Sequence, residues 1–185
     1  MLNAHRPSRD RRSAPGAPAE APPAIPLTPA LLERTALWHL GRKAMTTVEM
    51  RTVLQKKAGR HPPNEESQGW IEALVARYTE THVLDDAQVS RDRIELGRGR
   101  GWSKRRIEQK LRGVDADVRS EAFTDIDTRA PDEDGNTGES AELTAARIFV
   151  AKKRLSEKPP EKALGALARQ GFSYGVAKAA LTPRE

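Results

Sequence analysis

Apolar residues recur along this chain at three- and four-residue spacings, block after block, and that period governs what the chain can fold into. Residues so spaced share one face of an α-helix, whereas a half-buried strand would alternate at every second position. In PALLERTALWHLGRK, the residues Leu31, Leu32, Thr35, Leu37, Trp38 and Leu40 form such a stripe. Thr46 and Glu49 then make a Thr-x-x-Glu capping box, in which each side chain satisfies the other residue's free backbone N–H. Met50, Val53 and Leu54 follow as the buried face of that second helix. Residues 58–69 contain a proline pair, which a helix interior does not accept, so a loop is predicted there. A third helix carries Trp70, Ile71, Leu74, Val75 and Tyr78 on one side.

The same order then repeats. Leu84-Asp85-Asp86 predicts a turn and an acidic N-cap, where a carboxylate accepts orphan N–H groups at the positive helix end. Val89, Arg93, Ile94 and Leu96 continue a helix that the glycines at 97, 99 and 101 are expected to end. Ser103 caps SKRRIEQKL, with Ile107 and Leu111 inward, and Gly113 stops it. Asp115 or Asp117 starts another helix through Val118, Ala122, Phe123 and Ile126. The acidic stretch DIDTRAPDEDGNTG reads as a mobile linker. Beyond it, three more helices are expected: one in SAELTAARIFVAKKRL, one resuming after the proline pair of SEKPPEKALGALARQGF, and one in SYGVAKAAL.

The expected fold class is therefore all-α: a tandem array of three three-helix units, elongated and curved, with a period of about 50 residues. Its divisions are a basic Pro/Ala-rich tail at 1–26, units at 27–84 and 85–128, an acidic linker at 129–139, and a third unit at 140–185. Composition agrees with small stacked units. Hydrophobic residues make up 37% and charged residues 31%, enough for a thin core, and aromatics at 4% argue against a large sheet sandwich.

Several kinds of chemistry are excluded or disfavoured. Without cysteine there is no disulfide framework, thiolate zinc site or thiol nucleophile. No apolar run approaches the roughly 20 residues that span a bilayer, so no membrane association is expected. The arginines of the N-terminus lack the apolar stretch of a secretory signal behind them, and a cytoplasmic location is expected. His5, His39, His61 and His82 form no His-x-x-x-His or Glu-x-x-His pair for a metal. Gly97-Arg98-Gly99-Arg100-Gly101 follows a helix and lacks the Gly-Lys-Ser/Thr ending of a phosphate-binding loop. Asp132, Asp134 and Asn136 alternate like the start of a calcium loop, but Thr137 replaces its turn glycine and Leu143 its closing carboxylate. No catalytic residue, cofactor or metal is assigned, and enzyme function is disfavoured.

Charge is the more informative signal. The net charge is +6, and cations concentrate in one run. Arg98, Arg100, Lys104, Arg105, Arg106, Lys110 and Arg112 face a single acid, Glu108, with Trp102 among them. Cations neutralise phosphates, and an interleaved aromatic stacks on a base or anchors in a protein groove; Trp102 could equally belong to the local core. These eight residues are the candidate partner-binding set. A helical DNA-binding protein, transcriptional or architectural, is the competing reading, although no single helix shows an Arg/Asn/Gln base-reading face.

Four segments resemble the RecX family. Arg42, Thr46, Glu49 and Met50 are similar to its Arg-x-x-x-Ser-x-x-Glu-Leu signature. Leu84-Asp85-Asp86 resembles the junction between its units, and the segment from Gly101 through Ile107 to Leu111 its Gly-Tyr-Gly-Pro-x-Arg-Ile-x-x-x-Leu. Leu167-Ala168-Arg169-Gln170-Gly171-Phe172-Ser173 resembles its Leu-x-x-Arg-Gly-Phe-Ser. The likeness spans residues 31–181. Val89, Ser103 and Lys104 depart from the family pattern. What the resemblance implies is a monomeric modulator of DNA repair and the SOS response. Such a protein binds RecA recombinase filaments, with single- or double-stranded DNA as a further partner, and suppresses ATP hydrolysis and strand exchange.

Overall fold

Most helices of the chain begin where the sequence supplies an acceptor for their free N–H groups. A computed structural model describes residues 26–128 and 140–182. The expected tail up to residue 25, the expected linker at 129–139 and the Asp132, Asp134, Asn136 loop lie outside the described residues. Among the described residues there are nine α-helices, one 3-10 turn at Leu155–Glu157, and no strand. The fold is all-α. The helices are α1 (Pro29–Leu40), α2 (Thr47–Ala58), α3 (Ser67–Glu80), α4 (Asp86–Gly99) and α5 (Lys104–Lys110). They continue with α6 (Ala116–Asp127), α7 (Ala141–Lys153), α8 (Pro160–Gln170) and α9 (Tyr174–Leu181). Side chains of Thr28, Thr46, Asp85, Ser103, Asp115, Ser140 and Ser173 each accept from the first turn of the helix that follows. Both bonds of the Thr46/Glu49 capping box are present.

The buried side chains fall into three clusters. Helices α1 to α3 enclose Leu32, Ala36, Met50, Leu54, Ile71 and Val75, with Leu84 closing the end. Helices α4 to α6 enclose a smaller set: Ile94, Ile107, Leu111, Ala122 and Phe123. Helices α7 to α9 enclose Ala146, Phe149, Leu167, Phe172 and Ala177 among others. Two connectors are built alike. At Gly101-Trp102-Ser103 and Gly171-Phe172-Ser173, a glycine with φ of 75° or 94° ends one helix and the serine caps the next. The Trp102 N–H reaches the Gly97 carbonyl at 2.9 Å, and the Phe172 N–H reaches that of Leu167 at 3.2 Å. These bonds satisfy carbonyls that a helix end leaves open.

Four expectations need correction. The α1 stripe is narrower than its apolar sequence: Leu32 and Ala36 are buried, while Leu37 and Trp38 face outward, Trp38 being 58% exposed. Trp38 instead lies under the Arg42 guanidinium, 4.7 Å from the ring centroid. Leu96 likewise faces outward. Gly97 and Gly99 do not end α4, which runs through both. At Gly97 a Cβ would meet Ile107 Cγ1 at 2.7 Å, so the missing side chain is what lets α5 pack against α4. The acidic stretch starting at Asp125 is helical as far as Asp127, where Arg91 pairs with Asp125 at 3.7 Å and Arg98 with Asp127 at 3.1 Å.

The first two clusters meet through a polar seam. Asp86, at the start of α4, accepts from the Thr47 N–H at 2.7 Å and the Thr47 hydroxyl at 2.8 Å. Glu49 accepts from Arg93 at 2.7 Å as well as from the Thr46 N–H at 3.2 Å. Burial alone raises the Glu49 carboxyl, but the Arg93 hydrogen bond, the Thr46 N–H, and the charges of Arg93 and Lys43 outweigh it. Its pKa is thereby held below the ordinary 4.5. A carboxylate depressed in this way stabilises the fold above its unfolded pKa and loses that contribution as pH falls through the folded value. Glu49→Gln is expected to cost about 1 kcal/mol near neutral pH, because Arg93 and Glu49 are only partly buried. The gap between variant and parent should close as pH falls below the ordinary carboxylate range and through the depressed folded pKa. Urea midpoints at neutral and acid pH check this; an undiminished gap in acid would exclude the Glu49 charge as its cause.

Candidate partner-binding surface

The cationic run does not form one uniform face; the fold divides it into three groups. Arg98 points into the protein. It pairs with Glu142 at the start of α7 and with Asp127 at the end of α6, and its guanidinium lies 5.8 Å from the Phe123 ring centroid. Only 10% of its side chain is exposed. Arg100 and Arg106 flank Trp102, with guanidinium carbons 5.7 and 4.7 Å from the indole centroid. Trp102 itself is half-buried against the α4 to α6 cluster, so it is both core and part of the surface. Arg106 also donates to the Gln170 side chain.

Lys104, Arg105, Lys110 and Arg112 make the third group, and all are exposed, as is Arg100. None of these five forms an ion pair with a described carboxylate. The Lys104 ammonium lies 5.0 Å from the Phe123 ring centroid, on an aromatic that Arg98 also approaches. What this arrangement can do chemically is offer charge-assisted hydrogen bonds to anions, with an aromatic plane beside them.

The surface is fixed in place from the third unit. Glu142 accepts from the Lys104 N–H at 3.0 Å, which puts a carboxylate at the positive end of α5. The Ser103 hydroxyl caps α5 and at the same time donates to the Gln170 carbonyl. Gly101 lies directly against the α7 backbone, where a Cβ would be 2.8 Å from the Phe149 nitrogen. Sequence reasoning missed Asp127, Glu142 and Gln170 as supports, and Arg169 and Gln109 as neighbours. Arg169 and Gln170 stand inside one of the motifs quoted above, but nothing local shows that α5 lies beside them.

No group of three or more His, Asp or Glu side chains among the described residues is placed to hold a metal. No described helix is long and apolar enough to cross a membrane. Fold and surface together define a class: an all-helical protein of three stacked clusters that displays a dense set of cations. Comparison with known proteins is more specific. The chain is 34% identical to the regulatory protein RecX of Myxococcus xanthus over 187 residues, 91% of this chain and 95% of that one. It is 30% identical to the protein of that name from Thermobifida fusca, over 58% of this chain and 57% of the relative. With that of Corynebacterium efficiens the figures are 29% identity, 57% and 52%. The chain belongs to the RecX family. Its relatives are named as regulatory proteins, not as enzymes. No protein-family model matches the chain. No solved structure matches it either.

Proposed function

We propose that this chain binds RecA–DNA filaments and lowers RecA's ATP hydrolysis and strand exchange, as a regulator of homologous recombination within DNA repair and the SOS response. The observation that carries the reading is a likeness extending over 91% of the chain, and so across all three helical clusters, to a protein named for regulation. The partner-binding set comprises Arg98, Arg100, Trp102, Lys104, Arg105, Arg106, Lys110 and Arg112. Within it, the exposed cations make the contacts, while Arg98 and Arg106 hold the surface in shape. A row of small units suits a helical filament, because many weak contacts on successive protomers add up. The protein acts as a cytoplasmic monomer in this reading.

Retention on RecA–single-stranded DNA filaments, measured beside retention on naked DNA across a salt series, tests the proposal. Binding supplied mainly by phosphates falls steeply with salt and needs no second protein. Filament recognition predicts tighter, more salt-tolerant retention on the coated strand. Equal retention on both would instead favour a helical DNA-binding protein of transcriptional or architectural role. The double substitution Lys110→Glu, Arg112→Glu is expected to weaken filament binding several-fold, mostly through a slower, less salt-dependent association. Circular dichroism should show unchanged helicity, since both side chains are exposed.

A further inference from the structure

Three arginines from two different units converge on one cleft. Arg105 and Arg106 reach it from α5, and Arg169 reaches it from the last turn of α8. The cleft has a volume of about 330 Å³, and Gln109 and Gln170 add side-chain amides to its wall. No carboxylate of the described residues lines it. The one acid on α5, Glu108, lies with Asp127 and Glu142 in an adjoining cleft, which shares Arg105 and Gly171 with this one. None of the three arginines is in an ion pair with a described residue.

Like charges gathered without an ion-paired carboxylate among the described residues repel, and the arrangement is relieved by an anion. The helix end beside them does not supply one. A helix C-terminus carries about half a negative charge, spread over its free carbonyls. Here three of those carbonyls are already engaged: Leu167 by the Phe172 N–H, Ala168 by the Gly171 N–H, and Gln170 by the Ser103 hydroxyl.

We propose that this cleft between α5 and α8 binds a backbone phosphate of single-stranded nucleic acid, with Arg105 and Arg169 as direct ligands, Gln109 as a further donor, and Arg106 positioned beside them by Gln170. The proposal rests on the filament reading only in assigning the strand, rather than the protein coat, to this cleft. A phosphate fits better than a partner's side chain for two reasons. Protein interfaces concentrate their affinity in buried aromatic or aliphatic anchors, and among the described residues the only apolar side chain lining this cleft is that of Ala168. A planar carboxylate is satisfied by one guanidinium fork, whereas the tetrahedral phosphate accepts donors that arrive from separate helices, as these do.

The test uses the full chain and a labelled oligo-dT strand, with affinity followed by fluorescence anisotropy from low to moderate sodium chloride. Arg169→Ala and Arg105→Ala are each expected to weaken binding about tenfold, the loss of one charge-assisted contact. Each should also make the slope of log affinity against log salt shallower by about 0.7, the value for one phosphate contact on a single strand. Arg60→Ala removes the same charge from an exposed position of the first unit and should leave slope and affinity near those of the parent. An unchanged slope in both cleft variants overturns the proposal, as does an equal loss in Arg60→Ala, which would mark diffuse attraction. Failure of the parent chain to bind the strand overturns it too. Unaltered DNA affinity with weakened RecA-filament binding would assign the cleft to a protein carboxylate and overturn it likewise. A parent chain that binds the strand with these slopes, yet leaves RecA's ATP hydrolysis untouched, sustains the cleft and sinks the regulatory reading instead.

Discussion

Gly101→Ala is expected to lower stability by about 3 kcal/mol or more. Two costs combine. At φ of 75° the residue lies in the left-handed region, where a side chain costs about 1–2 kcal/mol. The added Cβ would also sit 2.8 Å from the Phe149 nitrogen, 3.0 Å from the Ala145 carbonyl oxygen and 3.1 Å from the Phe149 Cα. All three atoms are α7 backbone, so no rotamer change relieves the contact, and α7 must move away from α4. Overpacking of this kind costs about 1–3 kcal/mol. Urea unfolding should show a lowered midpoint, or two transitions in place of one as the third cluster separates from the second. Gly99→Ala is the matched control: nothing lies within 4 Å of its Cβ, and alanine favours the helix there. Equal stability of the two variants would exclude the α4–α7 contact as a structural requirement.

Arg98→Met is expected to cost about 2 kcal/mol while retaining much of the side-chain volume. Removing one partner from a fully buried ion pair costs about 3–5 kcal/mol, because the remaining charge is stranded. Here the carboxylates have partial access to water, with 33% of the Asp127 side chain and 23% of that of Glu142 exposed, which reduces the penalty. Three helices meet at this guanidinium, so the effect should spread. Hydrogen exchange is expected to accelerate in the first turn of α5, whose Lys104 N–H depends on Glu142. Measured protection at α5 equal to that of the parent would confine Arg98 to a local role.

The two substitutions bear on what the sequence discloses. Helix starts are legible, since a cap joins residues three apart: Thr46 with Glu49, or Ser103 with the Arg106 N–H. The order of elements and the density of cations between residues 98 and 112 are legible for the same reason. The direction in which each cation points is not. Arg98 meets Glu142 across 44 residues and Asp127 across 29, and Arg106 meets Gln170 across 64. Such pairs are set by how units stack, which no local pattern encodes. Trp38 shows the same limit on a smaller scale. Its helix offers more apolar residues than its neighbours cover, and the close approach of helices favours small Ala36 over the large indole.

The serine that caps α5 and also holds the Gln170 carbonyl has a consequence for biosynthesis. A chain emerging from the ribosome delivers α5 well before α8, at a time when neither Gln170 nor Glu142 has been made. The middle cluster, with its few buried side chains, therefore lacks both of these supports until the third cluster arrives. Synthesis of α7 and α8, rather than the appearance of its own residues, is what closes the central basic surface. A nascent chain stalled after α6 would carry the cations without the Glu142 and Gln170 contacts that hold α5 in place.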